Sequence, residues 1–249
     1  MGIKEIIAKI EHVKVETHDV KTFELKPQEP IAFTPGQYFL VSILSDEDLK
    51  DEWRPMTFTS LPWDKHITFA AKRMGRITHA LHELPVGAQL RLKGPKGESL
   101  NFDESIKEDL VFLAGGSGIT PCLSIIRYVI AKDLRNKMLL LFSNKSPKDI
   151  IYREEFDRLN QEGRITVVYS LSKEIPDDWK GERGRIDGEM IRRHVDRPKD
   201  KLWYLCGPPP MTDQLEQDLG RIGVSKERLR MESWELPGKA QRKEARDSE

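Results

Sequence analysis

The strongest constraint in this sequence is a change of hydrophobic period part-way along it. After Asp103, short apolar runs alternate with helical patterns. The run LVFLAGG at 110–116 is followed by a helical pattern over Pro121–Ala131. Strands over Met138–Phe142, Ile165–Tyr169 and Leu202–Cys206 then alternate with helices over Tyr152–Gln161, Asp187–His194 and Met211–Ile222. Nearly unbroken apolar runs suit strands buried on both faces, and strands alternating with helices imply βαβ crossovers. This half is predicted to be a doubly wound α/β parallel sheet.

Before Asp103 the pattern is different. Runs at Lys9–Thr17, Lys21–Leu25, Tyr38–Leu44 and His66–Ala71 stop at turn signals such as Pro35-Gly36, Leu61-Pro62, Pro85–Gly87 and Gly94–Gly97. Short strands at such spacing predict a small barrel or sandwich, interrupted by one helix over Thr78–Leu84. The expected organisation is a β domain over 1–104, an α/β domain over 105–234, and a polar tail over 235–249.

With 249 residues, each half is long enough to bury its own core. Lys and Arg total 41 against 41 Asp and Glu, a balance that argues against a general nucleic-acid binder. No apolar run approaches the roughly 18 residues needed to span a bilayer. The charged N-terminal stretch also does not read as a secretory signal. The two cysteines, Cys122 and Cys206, are too few for a disulfide scaffold or for a zinc or iron–sulfur site held by four cysteines. A cytoplasmic chain, monomeric or weakly oligomeric, is expected. His79 and His82 could share a helix face, but no metal site is expected from them.

Gly115, Gly116, Ser117 and Gly118 lie between an apolar strand and a helix. Glycines admit a ligand close to the backbone, and a helix N-terminus offers free N–H groups and a positive dipole end. That suits part of a dinucleotide, although a turn needing glycine for geometry alone reads the same way. A second edge of this type is LCGPPPM at 205–211, with Cys206, Gly207, Pro208 and Met211. In the first half, Pro55 keeps Arg54 extended, and Arg54 carries a donor fork suited to phosphate. Arg54, Met56 and Phe58 should share one face of that strand, with Thr57 and Thr59 on the other. Gly75-Arg76-Ile77-Thr78 opens the one helix and is a second candidate phosphate site.

Taken in order, these motifs resemble the ferredoxin–NADP(+) reductase-like superfamily over residues 5–234. They are an R-x-[YF]-[ST]-type segment, a G-x-x-[ST] helix start, a glycine loop ending in ITP, and a CGPPPM edge. The resemblance implies an N-terminal antiparallel flavin-binding β-barrel, a C-terminal NAD(P)-binding α/β domain, and hydride transfer between nicotinamide and flavin. It implies FAD rather than FMN, held by Arg54 at the pyrophosphate, with Thr57 near flavin N5 and Phe69, Ala70 and Ala71 along the flavin. Arg76, Ile77 and Thr78 would contact its phosphates, and Thr120 the ring system. Met56 stands where the family has Tyr or Phe. Cys206 would sit beside the nicotinamide, Glu232 near the reacting rings, and Trp234 against the flavin face.

Ser172 and Lys173 follow the third strand of the second domain, where NADPH-using relatives carry Ser-Arg. Lys145 and Arg185 fall near other positions of positive charge. NADP(H) is therefore expected, with NAD(H) as the alternative. Because a flavin takes hydride and can release single electrons, the expected partner is a separate carrier such as ferredoxin, flavodoxin or an oxygenase component. Two alternatives are a free-flavin or quinone reductase and an electron-transfer subunit of a larger redox complex.

Overall fold

The computed structural model describes residues 5–232. Trp234 and the expected tail at 235–249 lie outside the described residues.

Six antiparallel strands build the first domain: β1 (Glu5–Thr17), β2 (Val20–Pro27), β3 (Tyr38–Ile43), β4 (Arg54–Thr57), β5 (Ile67–Lys72) and β6 (Gln89–Lys96), in the order β4-β3-β6-β1-β2-β5. The two ends of that order meet where Thr59 N–H donates to the Thr68 carbonyl at 2.8 Å, which closes the sheet into a barrel. Alternation sends Ile10, Phe23, Leu25, Phe39, Val41 and Phe69 inward to one apolar core. Helix α1 (Arg76–Glu83) caps this core with Ile77 and Leu81.

The second domain has six parallel strands: β7 (Leu110–Gly115), β8 (Met138–Asn144), β9 (Thr166–Leu171), β10 (Glu182–Arg183), β11 (Leu202–Cys206) and β12 (Leu229–Met231). Their order is β10-β9-β8-β7-β11-β12. Both faces are covered, as an all-parallel sheet requires. Leu110, Phe112, Leu140, Tyr204 and Cys206 point to the face packed by α2 (Ile119–Ala131) and α3 (Arg153–Gln161). Val111, Leu113, Leu141, Trp203 and Leu205 point to the opposite face, under α4 (Gly188–His194) and α5 (Pro209–Ile222). Val20, Ala70, Leu100 and Phe102 from the first 104 residues join the α2-side core, so the two domains share packed interior.

The expected strands and helices are all present. Those not anticipated are the short edge strands β10 and β12, and β6, whose alternation is interrupted by Gly94-Pro95.

Candidate functional site

Arg54 begins β4, and its Nη1 donates to the Trp53 carbonyl at 2.9 Å. Its Nη2 lies 3.7 Å from Glu52 Oε2, and the other oxygen of the same carboxylate accepts from Arg76 Nη1 at 2.8 Å. The two arginines expected at phosphate therefore do converge, from different elements, on one carboxylate. Arg76 and Ile77 open α1, whose first-turn N–H groups have no acceptor within the helix.

Several of the expected contact residues are already engaged within the protein. The Thr78 hydroxyl accepts from the N–H groups of Met74 and Gly75, each at 2.9 Å, and donates to the Gly75 carbonyl. It is engaged in closing its own loop, beside first-turn backbone N–H groups that have no helical acceptor. Phe69, Ala70 and Ala71, expected along the flavin, send their side chains to alternate faces of β5. Phe69 stacks on Phe23 at 5.3 Å inside the barrel and Ala71 joins the same core, while Ala70 points toward the second domain. Strand parity is the reason. Met56 and Phe58 lie together in the barrel core as the alternation predicts, so Met56 is packed among side chains and offers no open platform.

Across the cleft, the glycines divide by role. A Cβ on Gly118 would meet the Cys206 carbonyl oxygen at 2.3 Å, and one on Gly115 the Met211 Sδ at 2.5 Å. These two glycines let the turn after β7 pack against the turn after β11, with the Met211 thioether wedged between Gly115 and Gly207. Gly116 is different. Its φ is +53°, a left-handed conformation that favours glycine, and no atom would meet a side chain there within 4 Å. Of the loop glycines, it is the one that leaves backbone open to a ligand. Ser117 and Thr120 are tied by the Thr120 hydroxyl donating to the Ser117 carbonyl at 3.1 Å. Pro208 caps α5 by accepting from Met211 N–H at 2.8 Å.

Cys206 ends β11 and is buried, and it lies near enough to Cys122 of α2 to bear on the ionisation of the Cys122 thiol. Burial and the neighbouring Cys206 push the Cys122 thiol well up, so it stays protonated. Glu232 follows β12 and comes close to Tyr38 of β3, the register partner of Thr57. Burial raises the Glu232 carboxyl above its ordinary value; burial and then Glu232 raise the Tyr38 phenol. The end of the second domain thus reaches β3, the strand paired with the one that carries Thr57.

Lys145, Lys173 and Arg185 are all exposed, and among the described residues none forms an ion pair. Backbone bonds bring their segments together. The Lys145 carbonyl accepts from Lys173 N–H at 3.0 Å, and Gly184 N–H donates to the Leu171 carbonyl at 2.7 Å. The Ser172 hydroxyl donates to the Asn144 carbonyl at 3.1 Å.

Sequence reasoning missed Glu52, Tyr38, Arg127 and Tyr152. Arg127 of α2 makes a two-pronged pair with Glu155, at 2.8 and 2.6 Å, and donates to the Thr59 carbonyl at 2.5 Å. Tyr152 bonds Thr22 of the barrel at 2.8 Å, and burial pushes its phenol up to about 12. Both are joints between the domains, and no local pattern announces them. A surface groove of about 840 Å³ is lined by Thr59, Ser60, Arg127 and Arg164, among others. It contains none of the expected site residues.

Residues 7–100 match the family model of the oxidoreductase FAD-binding domain, and residues 112–217 that of the oxidoreductase NAD-binding domain. The chain is 35% identical over 215 residues to NADH-cytochrome b5 reductase 1 of Neosartorya fischeri, covering 82% of this chain and 69% of that protein. It belongs to the ferredoxin–NADP(+) reductase-like superfamily. A second reductase of this superfamily, NADH-cytochrome b5 reductase 2 of Mycosarcoma maydis, is 31% identical over 86% of this chain; the chain spans 65% of its length. Among solved structures, the ferredoxin reductase in carbazole 1,9a-dioxygenase superposes with a TM-score of 0.83 at 26% identity. That match covers 94% of this chain and 70% of the other. As a member of the superfamily the chain is a flavoprotein oxidoreductase with an FAD-binding and an NAD(P)-binding domain. The residues present fit both groups: two convergent arginines at a helix start on the barrel, and open left-handed backbone at Gly116 on the sheet. Among the described residues no helix is long and apolar enough to cross a membrane.

Proposed function

We propose that the chain passes hydride from NADPH to bound FAD, and that the electrons then leave to a carrier outside these two domains. The observation that carries the nucleotide choice is the group formed by Lys145, Lys173 and Arg185. Three exposed cations without a described acidic partner lie on adjacent backbone at the carboxyl edge of the sheet. A 2′-phosphate is the dianion that would answer them; NADH carries only a hydroxyl at that ribose position.

Bound FAD supplies a two-electron acceptor able to release electrons singly. The chain supplies the rest. Arg54 and the first turn of α1 hold the pyrophosphate, and the open backbone at Gly116 receives the nucleotide. Thr57 offers a hydroxyl near N5 of the flavin ring. Cys206, fixed at a strand end, positions the nicotinamide. Glu232 stands beside the reacting centre with its carboxyl raised above the ordinary glutamate value, because burial disfavours its ionised form. Two cysteines cannot hold a four-cysteine cluster, which supports an acceptor such as ferredoxin, flavodoxin, cytochrome b5 or an oxygenase component.

The test is steady-state kinetics with both nucleotides. Lys173→Ala is expected to raise KM for NADPH by roughly tenfold or more, as loss of one charge-assisted contact of about 1.5–3 kcal/mol implies, with KM for NADH unchanged. A wild type that prefers NADH, as the names of the two fungal relatives would suggest, refutes the nucleotide assignment. Faster reoxidation by free flavin or quinone than by carrier proteins refutes the acceptor assignment.

A further inference from the structure

We infer that Glu52 is a built-in counter-anion at the flavin pyrophosphate site, one that weakens the hold on FAD and makes the cofactor exchangeable. The inference rests on the reading of Arg54 and Arg76 as the pyrophosphate cations. Glu52 ends the turn before β4, anchored there by its N–H donating to the Leu49 carbonyl at 2.9 Å. Its two carboxylate oxygens reach one arginine each: Oε1 to Arg76 at 2.8 Å, and Oε2 to Arg54 at 3.7 Å. Among the described residues neither arginine has another acidic partner. The carboxylate therefore bridges the guanidinium groups from β4 and α1 as a bound phosphoryl group would.

A pyrophosphate has two ways to enter. It displaces the carboxylate, and each arginine exchanges one anion for another. Otherwise it binds beside the carboxylate and meets like charge within a few ångströms. Either way the net attraction is smaller than two unengaged arginines would provide. The side chains are partly exposed, so water and salt screen the effect, which places it at a modest fold-change. Removing the charge at this position leaves both cations to the ligand.

The experiment is serial dilution of the FAD-loaded protein, following the fluorescence of released flavin. Glu52→Gln is expected to lower the FAD dissociation constant by about three- to tenfold at low ionic strength, and Glu52→Ala to act in the same direction. The advantage should shrink to less than twofold in about 1 M KCl, where the screening length is roughly 3 Å. Equal release by wild type and both variants overturns the proposal. So does faster release, which would make Glu52 a support that aims the arginines, and so does a failure of both variants to fold. A tightening that persists unchanged in high salt overturns the charge argument. Uptake of FAD by Arg54→Ala and Arg76→Ala variants equal to that of the wild type overturns the pyrophosphate reading on which all of this stands.

Discussion

A methyl group added at Gly118 would sit 2.3 Å from the Cys206 carbonyl oxygen, whereas one added at Gly116 would meet nothing within 4 Å. Gly118→Ala must push two backbone turns apart, and is expected to lower stability by about 1–3 kcal/mol, read as a fall in Tm. Gly116→Ala costs about 1 kcal/mol for its left-handed backbone, and its larger effect should be a raised KM for NAD(P)H with flavin content intact. At Cys206 the thiol is buried at the strand end. Cys206→Ala should slow flavin reduction in rapid mixing by about tenfold with FAD retained, since small misplacements of reacting rings are costly. Glu232 gives a pH signature. Its folded pKa is raised by burial above the ordinary 4.5, so the protonated form is favoured in the folded chain. The stability it contributes is complete below the unfolded glutamate range and is lost as pH rises through the raised folded value. Tm measured against pH should therefore decline through that window in the wild type and decline less in Glu232→Gln.

At the scale of elements, α2 and α3 tie the sheet to the barrel. Arg127 holds Glu155 and the Thr59 carbonyl together, and the Thr59 segment is also the seam that closes the barrel. Arg127→Ala leaves Glu155 without its counter-ion and the seam carbonyl without its donor. A loss of about 2–3 kcal/mol is expected in denaturant unfolding, less than for a fully buried pair because both side chains keep some solvent. Such joints explain which parts of the structure could be read in the residues. The long apolar runs of β7, β8 and β11 and the amphipathic α2 and α5 carry their period locally, so their positions follow from the sequence. Edge strands β10 and β12 have two and three residues, too short to show any period, and exist because Ser170–Leu171 and Trp203–Leu205 offer them partners. Motif order placed Arg54 and Arg76 at one site, but Glu52 between them depends on how a turn and a helix meet in space. The parity of Phe69 and the local use of the Thr78 hydroxyl were equally hidden, since a motif names residues without saying which atoms are already engaged.

For the whole molecule, the decisive feature is that the α2-side core takes Val20, Ala70, Leu100 and Phe102 from the first 104 residues. Two units joined only by a linker would melt separately. Here loss of either exposes the other's interior, so a single calorimetric transition is expected, with NADP(H) and FAD each raising the same Tm. That shared interior also bears on how such a protein can be altered. A barrel from another reductase would arrive with its own side chains at these four positions, cut to a different α2. Exchange of modules along this lineage must then carry the interface with it, or repair it afterwards. Variation in electron acceptor and nucleotide is correspondingly easier to achieve at the exposed rims, where Lys145, Lys173 and Arg185 stand free of the common core.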